Sequence, residues 1–180
     1  MARVLLGVTG SIAAHRALDL TSELTKAGVA VDVLMTPGAE RFIRPLAFQA
    51  LSRRKVFTDL FEAPSDEAHD HIRVATDADL FVVAPCSADA LAKFAAGLCE
   101  DFVSTAMVVY RGPRLLCPAM NWRMWTAPVV RRNVAALRDL GFEFVDPAEG
   151  DLACGEQGPG RLAPVAEILA RIRAHLPRPA

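Results

Sequence analysis

Short, largely apolar runs alternate along this chain with segments of helical period, and that alternation restricts the fold more than any other feature. The runs are Arg3 to Val8, Val29 to Met35, Leu80 to Ala84, Arg114 to Pro118 and Phe142 to Val145. The first is followed by a helical pattern from Ile12 to about Lys26, with Leu18, Leu20 and Leu24 apolar. The second turns at Thr36-Pro37-Gly38 into a helix through Phe42, Leu46 and Leu51. Ser87 to Gly97 carries apolar Ala88, Leu91, Ala92 and Ala95, and further helices are predicted from about Thr126 to Leu140 and from Val165 to Leu176. A strand apolar on every residue is buried on both faces, which is the condition of a parallel sheet with helices on either side. The pattern predicts one α/β domain over 1–180, a three-layer doubly wound parallel sheet. Two stretches fall outside it as candidate functional loops: polar Glu62 to Asp70 and glycine-rich Gly150 to Gly160.

Charge and cysteine content exclude several function classes. Lys plus Arg, 20, nearly cancels Asp plus Glu, 21, with no basic run, so neither nucleic acid nor a membrane surface is an expected partner. The basic residues Arg171, Arg173 and Arg178 read as the solvated end of the last helix. Met1 to Ala14 begins like a signal peptide, but Gly7, Thr9, Gly10 and Ser11 break the apolar run, and no stretch approaches the ~18 residues of a membrane span. A soluble, cytoplasmic protein is expected. The cysteines at 86, 99, 117 and 154 include no C-x-x-C pair, so free thiols are expected and no metal site.

The polar residues at strand ends are the candidates for chemistry. Gly7-Val-Thr-Gly10-Ser11 meets the first helix where backbone N–H groups can hold a phosphate. It lacks the G-x-G-x-x-G pattern and the P-loop lysine, which disfavours dinucleotides and ATP. Read alone, it is as well explained by a tight turn. Ser87 is a natural helix N-cap after the third strand, and Thr36 adds a third hydroxyl on the same edge. His15 stands early in the first helix, His69 and His71 flank Asp70, and His175 in the tail reads as solvated. Asn121 ends the strand Leu116-Cys-Pro-Ala-Met-Asn, where it is either a turn residue or a carboxylate holder. The segment from Gly150 to Leu162 packs glycines, Cys154 and Arg161 into a loop suited to folding over a ligand.

Taken in order, these pieces resemble the flavin-dependent cysteine decarboxylase family. The resemblance rests on Gly7-Val-Thr-Gly-Ser-Ile-Ala-Ala14, Phe42-Ile-Arg-Pro-Leu-Ala-Phe-Gln-Ala-Leu-Ser52, His71-Ile72, Ala78-Asp-Leu-Phe-Val-Val-Ala-Pro85, Pro118-Ala-Met-Asn121, and Ala153-Cys-Gly155 with Gly158-Pro-Gly-Arg161. It covers nearly the whole chain and implies a Rossmann- or flavodoxin-like flavoprotein fold. It also implies FMN, with contacts at Gly10, Ser11, Thr36, Phe42, Ser87, Ala88, Asp89, Thr105 and Met120. His71, Asn121 and Cys154 would be catalytic, and Met120, Asn121, Ala153, Gly155 and Arg161 would bind substrate. The implied reaction is decarboxylation of 4′-phosphopantothenoylcysteine to 4′-phosphopantetheine in coenzyme A biosynthesis. The implied assembly is a homotrimer or a multiple of it, which Trp122, Met124 and Trp125 also suggest as apolar residues that a small domain hardly buries.

Two other readings compete: an oxidative decarboxylase of peptide C-terminal cysteines, which resembles this chain minus the loop cysteine, and a non-enzymatic flavin-binding regulator, in which the histidine is typically lost. The chain departs from the family at Asp89-Ala90, where Asn-Thr is usual, and at His15-Arg16, where Tyr-Lys is common. An anionic Asp89 beside a reduced flavin would disfavour it unless the carboxyl is protonated or points away. With the last residue at Ala180 there is no room for a fused ligase, so the chain is expected to act alone or beside a separate one.

Overall fold

The structure, a computed structural model, describes residues 1–61, 70–151 and 155–176. Strand β1 (Arg3–Val8) is followed by a 3-10 turn (Ile12–His15) and α1 (Arg16–Lys26), then β2 (Ala30–Met35), α2 (Pro37–Glu40), α3 (Pro45–Ser52) and β3 (Val56–Phe57). The second half runs α4 (Asp70–Thr76), β4 (Leu80–Cys86), α5 (Ala88–Ala96), α6 (Phe102–Val109), β5 (Arg114–Pro118), α7 (Trp122–Thr126), α8 (Pro128–Asp139) and β6 (Glu143–Phe144). The hairpin β7 (Ala148–Asp151) and β8 (Gln157–Arg161) precedes α9 (Val165–His175). The strands from β1 to β6 form one parallel sheet in the order β3-β2-β1-β4-β5-β6. This is the doubly wound α/β architecture, with its topological switch between β1 and β4.

Side chains alternate between two cores, as a strand's period of two requires. Val4, Leu6, Val33, Val82 and Leu115 face α1, α3 and α9, packing on Leu20, Leu24, Phe48 and Ile168. Leu5, Leu34, Phe81, Val83 and Leu116 face the other layer, against Leu91, Phe102, Met107, Val134 and Leu137. The apolar runs are therefore continuous because each residue has a helix layer to enter. Asp32, in the middle of β2, is the exception: its buried carboxylate receives Arg54 Nε at 2.6 Å and Nη2 at 3.1 Å. Such pairing is what makes a buried charge tolerable.

The structure departs from the expectations at identifiable places. The single helix predicted after Thr36 is two, because Arg44 is extended (φ −82°, ψ 142°) ahead of Pro45, which bars the preceding residue from helical geometry. Helix α6 has no polar face to betray it; it is set by a capping box in which Asp101 and Ser104 each accept from the other's backbone N–H. The strand predicted at Phe142–Val145 is present as β6 but is not the last: the glycine-rich stretch forms the hairpin β7–β8 rather than an irregular loop. Trp125, expected to need a partner subunit, is buried within this chain at 6% exposure beside Val130 and Val134. Arg171 and His175 are not simply solvated, since both pair with Glu143, at 2.8 and 3.2 Å. Burial opposes the Glu143 charge, but the Arg171 hydrogen bond and His175 outweigh it and lower its pKa.

Candidate functional site

A cavity of about 760 Å³ opens where the strand order reverses, beyond the carboxyl ends of β1 and β4. That crevice is the ligand position of open α/β sheets, because two neighbouring strands there send their crossovers to opposite layers. Ser11 and Ser87, each following one of those strands, line it side by side. Both are helix caps: Ser11 Oγ accepts from Ala13 N at 3.3 Å, and Ser87 Oγ from Ala90 N at 3.2 Å. The first N–H groups of α5 have no intrahelical acceptor and point to the same end, which makes the corner electropositive.

Thr9 holds the two turns together. It is buried, donates its hydroxyl to the Pro85 carbonyl at 2.8 Å, and accepts from Ser87 N at 2.8 Å. A third turn joins them, since a Cβ on Gly10 would meet the Gly38 carbonyl carbon at 3.2 Å. Sequence reasoning missed Thr9: only the strand order reveals that the two turns are neighbours. The sole signal was a hydroxyl at a strand end.

The opposite wall comes from the second half of the chain. Met120 and Asn121 leave the end of β5, and β8 lies against them with Met120 N donating to Gly160 O at 2.9 Å. Asn121 caps α7, its Oδ1 accepting from Arg123 N at 2.8 Å. Arg161 at the end of β8 also lines the cavity, with apolar Ile12, Met124, Leu162 and Val165 completing it. His15, Arg16 and Asp151 reach it as well. The last two were not anticipated, because nothing local sets a helix-surface arginine or a hairpin aspartate apart.

The fold thus gathers Gly10, Ser11, Ser87, Ala88, Met120, Asn121 and Arg161 around one cavity. Thr36, Phe42, Asp89, Thr105 and Gly155 do not line it. Thr36 Oγ1 instead accepts from Ala39 N, capping α2, and Phe42 is 53% exposed. Thr105 lies on α6 with Oγ1 buried and without a hydrogen-bond partner among the described residues. The Asp89 carboxylate is largely exposed and pairs with Lys93 Nζ at 3.2 Å, so it points away from the cavity. Burial alone would lower the Lys93 pKa, but hydrogen bonds to Asp101 and Asp89 outweigh it and raise it. His71 is the second residue of α4, its side chain outside the described part of the structure; Ala153 and Cys154 lie outside the described residues. Of the other cysteines, Cys86 and Cys117 are buried and Cys99 exposed, all free, and burial pushes the pKa of both buried thiols up. Among the described residues no cluster could hold a metal ion, and no helix is long and apolar enough to cross a membrane.

Residues 1–176 match the family model described as Flavoprotein. The chain is 43% identical over 172 residues to the coenzyme A biosynthesis bifunctional protein CoaBC of Bacillus subtilis, covering 96% of this chain and 42% of that protein. It is 39% identical to a probable phosphopantothenoylcysteine decarboxylase of Streptococcus mutans, covering 97% of this chain and 98% of the relative. The chain therefore spans about two fifths of the bifunctional relative and almost all of the other. Among solved structures it resembles the FMN-dependent cysteine decarboxylase SpaF, with a TM-score of 0.83, 30% identity and 97% of each chain covered. With its switch-point cavity and these matches, the chain belongs to the Flavoprotein family, among the flavin-dependent cysteine decarboxylases.

Proposed function

We propose that this chain uses FMN to decarboxylate 4′-phosphopantothenoylcysteine to 4′-phosphopantetheine. The observation that carries the reading is that Asn121, Arg161 and strand β8 close on the same cavity that Ser11 and Ser87 open. The residues suit FMN. Apolar Ile12, Ala13, Met120 and Val165 offer walls to a flat ring, and two serines with helix-end N–H groups offer a phosphate its donors. The near full-length match to a probable phosphopantothenoylcysteine decarboxylase supports the substrate.

A plain carboxylate cannot lose CO2 until the electrons left behind have somewhere to go. FMN, when bound, supplies that sink by taking two electrons from the substrate thiol, leaving a thioaldehyde, and returns them at the end. In this reading His71 takes the proton released as the thiol is oxidised. The Asn121 amide holds the carboxylate in place, where Met120 N and Gly160 O fix the backbone that carries it. Breaking the bond to the carboxylate carbon releases CO2 and leaves an enethiolate. Cys154 then delivers a proton to the carbon that had carried the carboxylate, and its thiol, ordinarily near pKa ~8.5, is a far better acid than a hydroxyl. Arg161 provides positive charge at the cavity for a substrate with two anionic groups, a phosphate and a carboxylate.

The same reading places the enzyme in the cytoplasm as one catalytic domain. It assembles as a homotrimer or a multiple of it, so that the exposed Phe42, outside this chain's own cavity, faces a neighbour's flavin. Light scattering tests the assembly: a fully active monomer contradicts it.

The decisive experiment is Cys154→Ser. The protein folds, binds flavin and releases CO2, but accumulates the enethiol, two hydrogens lighter than phosphopantetheine, seen by mass spectrometry. Phosphopantetheine formed at near the unsubstituted rate would show that the proton comes from elsewhere.

A further inference from the structure

Three consecutive side chains converge on one carboxylate beside the cavity. Glu156 Oε2 accepts from Trp122 Nε1 at 2.7 Å, and Oε1 from Arg123 Nη2 at 2.6 Å. The Asn121 side chain lies close enough to the same carboxylate to help lower its pKa. The Arg123 guanidinium also lies over the Trp122 ring, 5.4 Å from its centroid. The chain reaches this cluster through Gly155, whose φ of +82° turns the backbone just before Glu156. Beyond it, Gly158 lies so close to Trp122 that a Cβ there would meet the Trp122 Cβ at 3.0 Å. Asn121 belongs to the cavity wall, whereas Glu156, Trp122 and Arg123 do not. Glu156 therefore grips Asn121 from outside the cavity and does not compete for its space.

The two ends of an asparagine amide have nearly the same shape and opposite polarity, so partners decide which way it faces. Here one partner is a donor, the Arg123 N–H, which engages Oδ1 at 2.8 Å. The other is an ionised carboxylate, which can only accept and so requires the NH2 end. Together they leave one orientation. Arg123 also neutralises Glu156, so the carboxylate does not repel an arriving anion. The hydrogen bond from Trp122, with the charge of Arg123 and the contact with Asn121, holds the Glu156 pKa below its ordinary 4.5.

We propose that Glu156 is a positioning residue, fixing the Asn121 amide in the orientation that receives a substrate carboxylate while latching the β7–β8 hairpin to α7. The proposal rests on the reading of Asn121 given above. Its test uses the flavin-loaded full-length chain and the variants Glu156→Gln and Glu156→Asp. Glu156→Gln keeps the size but offers an amide that can pair with either end of Asn121. It raises KM for phosphopantothenoylcysteine roughly tenfold or more, with a smaller fall in kcat. Affinity for phosphopantetheine, which lacks the carboxylate, stays within about twofold. Glu156→Asp recovers most of the KM. An unchanged KM in Glu156→Gln, or equal weakening toward ligands with and without the carboxylate, overturns the proposal.

A second readout needs no substrate. The Asn121 side-chain amide resonances, identified through Asn121→Asp, shift as acid protonates Glu156 below pH 4.5 and show no such titration in Glu156→Gln. Amide signals indifferent to both changes also overturn the proposal. If the unsubstituted enzyme releases no CO2, the functional reading fails, and these resonances alone decide the role of Glu156.

Discussion

Replacing Gly160 with alanine separates the hairpin from the rest of the molecule. A Cβ there would sit 2.2 Å from Met120 O, and the backbone has φ +149°, a region that L side chains rarely adopt. The obstacle is a main-chain carbonyl, so no rotamer change relieves it. Alanine in this conformation costs about 1–3 kcal/mol. Moving away breaks the 2.9 Å hydrogen bond from Met120 N to Gly160 O, about 1 kcal/mol more. The sum, roughly 2–4 kcal/mol, exceeds what a two-stranded hairpin of this size holds on its own, so the hairpin leaves its dock before the sheet yields. Hydrogen exchange reads this directly. Protection of the Met120 amide falls by roughly 30-fold to several hundredfold, while amides of β1 and β4 keep theirs. Turnover is lost with little change in the main thermal transition. Unchanged Met120 protection would refute the reasoning, and so would a loss spread evenly over the sheet.

Thr9→Val preserves shape but removes both side-chain hydrogen bonds that join the turn after β1 to the end of β4; a loss of about 1–3 kcal/mol and weaker flavin retention are expected, by chemical denaturation and fluorescence of released flavin. Asp89→Asn loses only an exposed pair with Lys93, so stability changes by less than about 1 kcal/mol and activity by little. A collapse of activity would mean that Asp89 reaches the flavin after all. Glu143 has a lowered pKa in the folded chain, so its contribution is present above the ordinary value of 4.5 and is lost as pH falls through the folded value. Melting of Glu143→Gln and unsubstituted protein should therefore differ near neutrality and converge in acid; a constant difference down to pH 2 would contradict the assignment.

Local pattern alone determined the parallel α/β class, since an apolar run without alternation is explicable only by a strand covered on both faces. It also singled out Ser11, Ser87, Asn121 and Arg161, because polar residues at strand ends and in a glycine-rich segment stand out against buried runs, whereas Met120 came only from the family resemblance. What it could not contain was neighbourhood. Thr9 and Ser87 are 78 residues apart, and Trp122 and Glu156 are 34 apart. Their contacts exist only because β1 pairs with β4 and the hairpin folds back on α7. Helix α6 escaped notice for a related reason: apolar almost throughout, with Val108 its exposed residue, it shows no polar face, and its capping box is recognisable only once it has formed. The hairpin was hidden because glycines that look like a flexible loop are there to let β8 approach Met120 and Trp122. Periodicity reports which way a side chain faces, a property of its own segment. Strand order, and with it the partner each side chain meets, is settled by the packing of the whole chain.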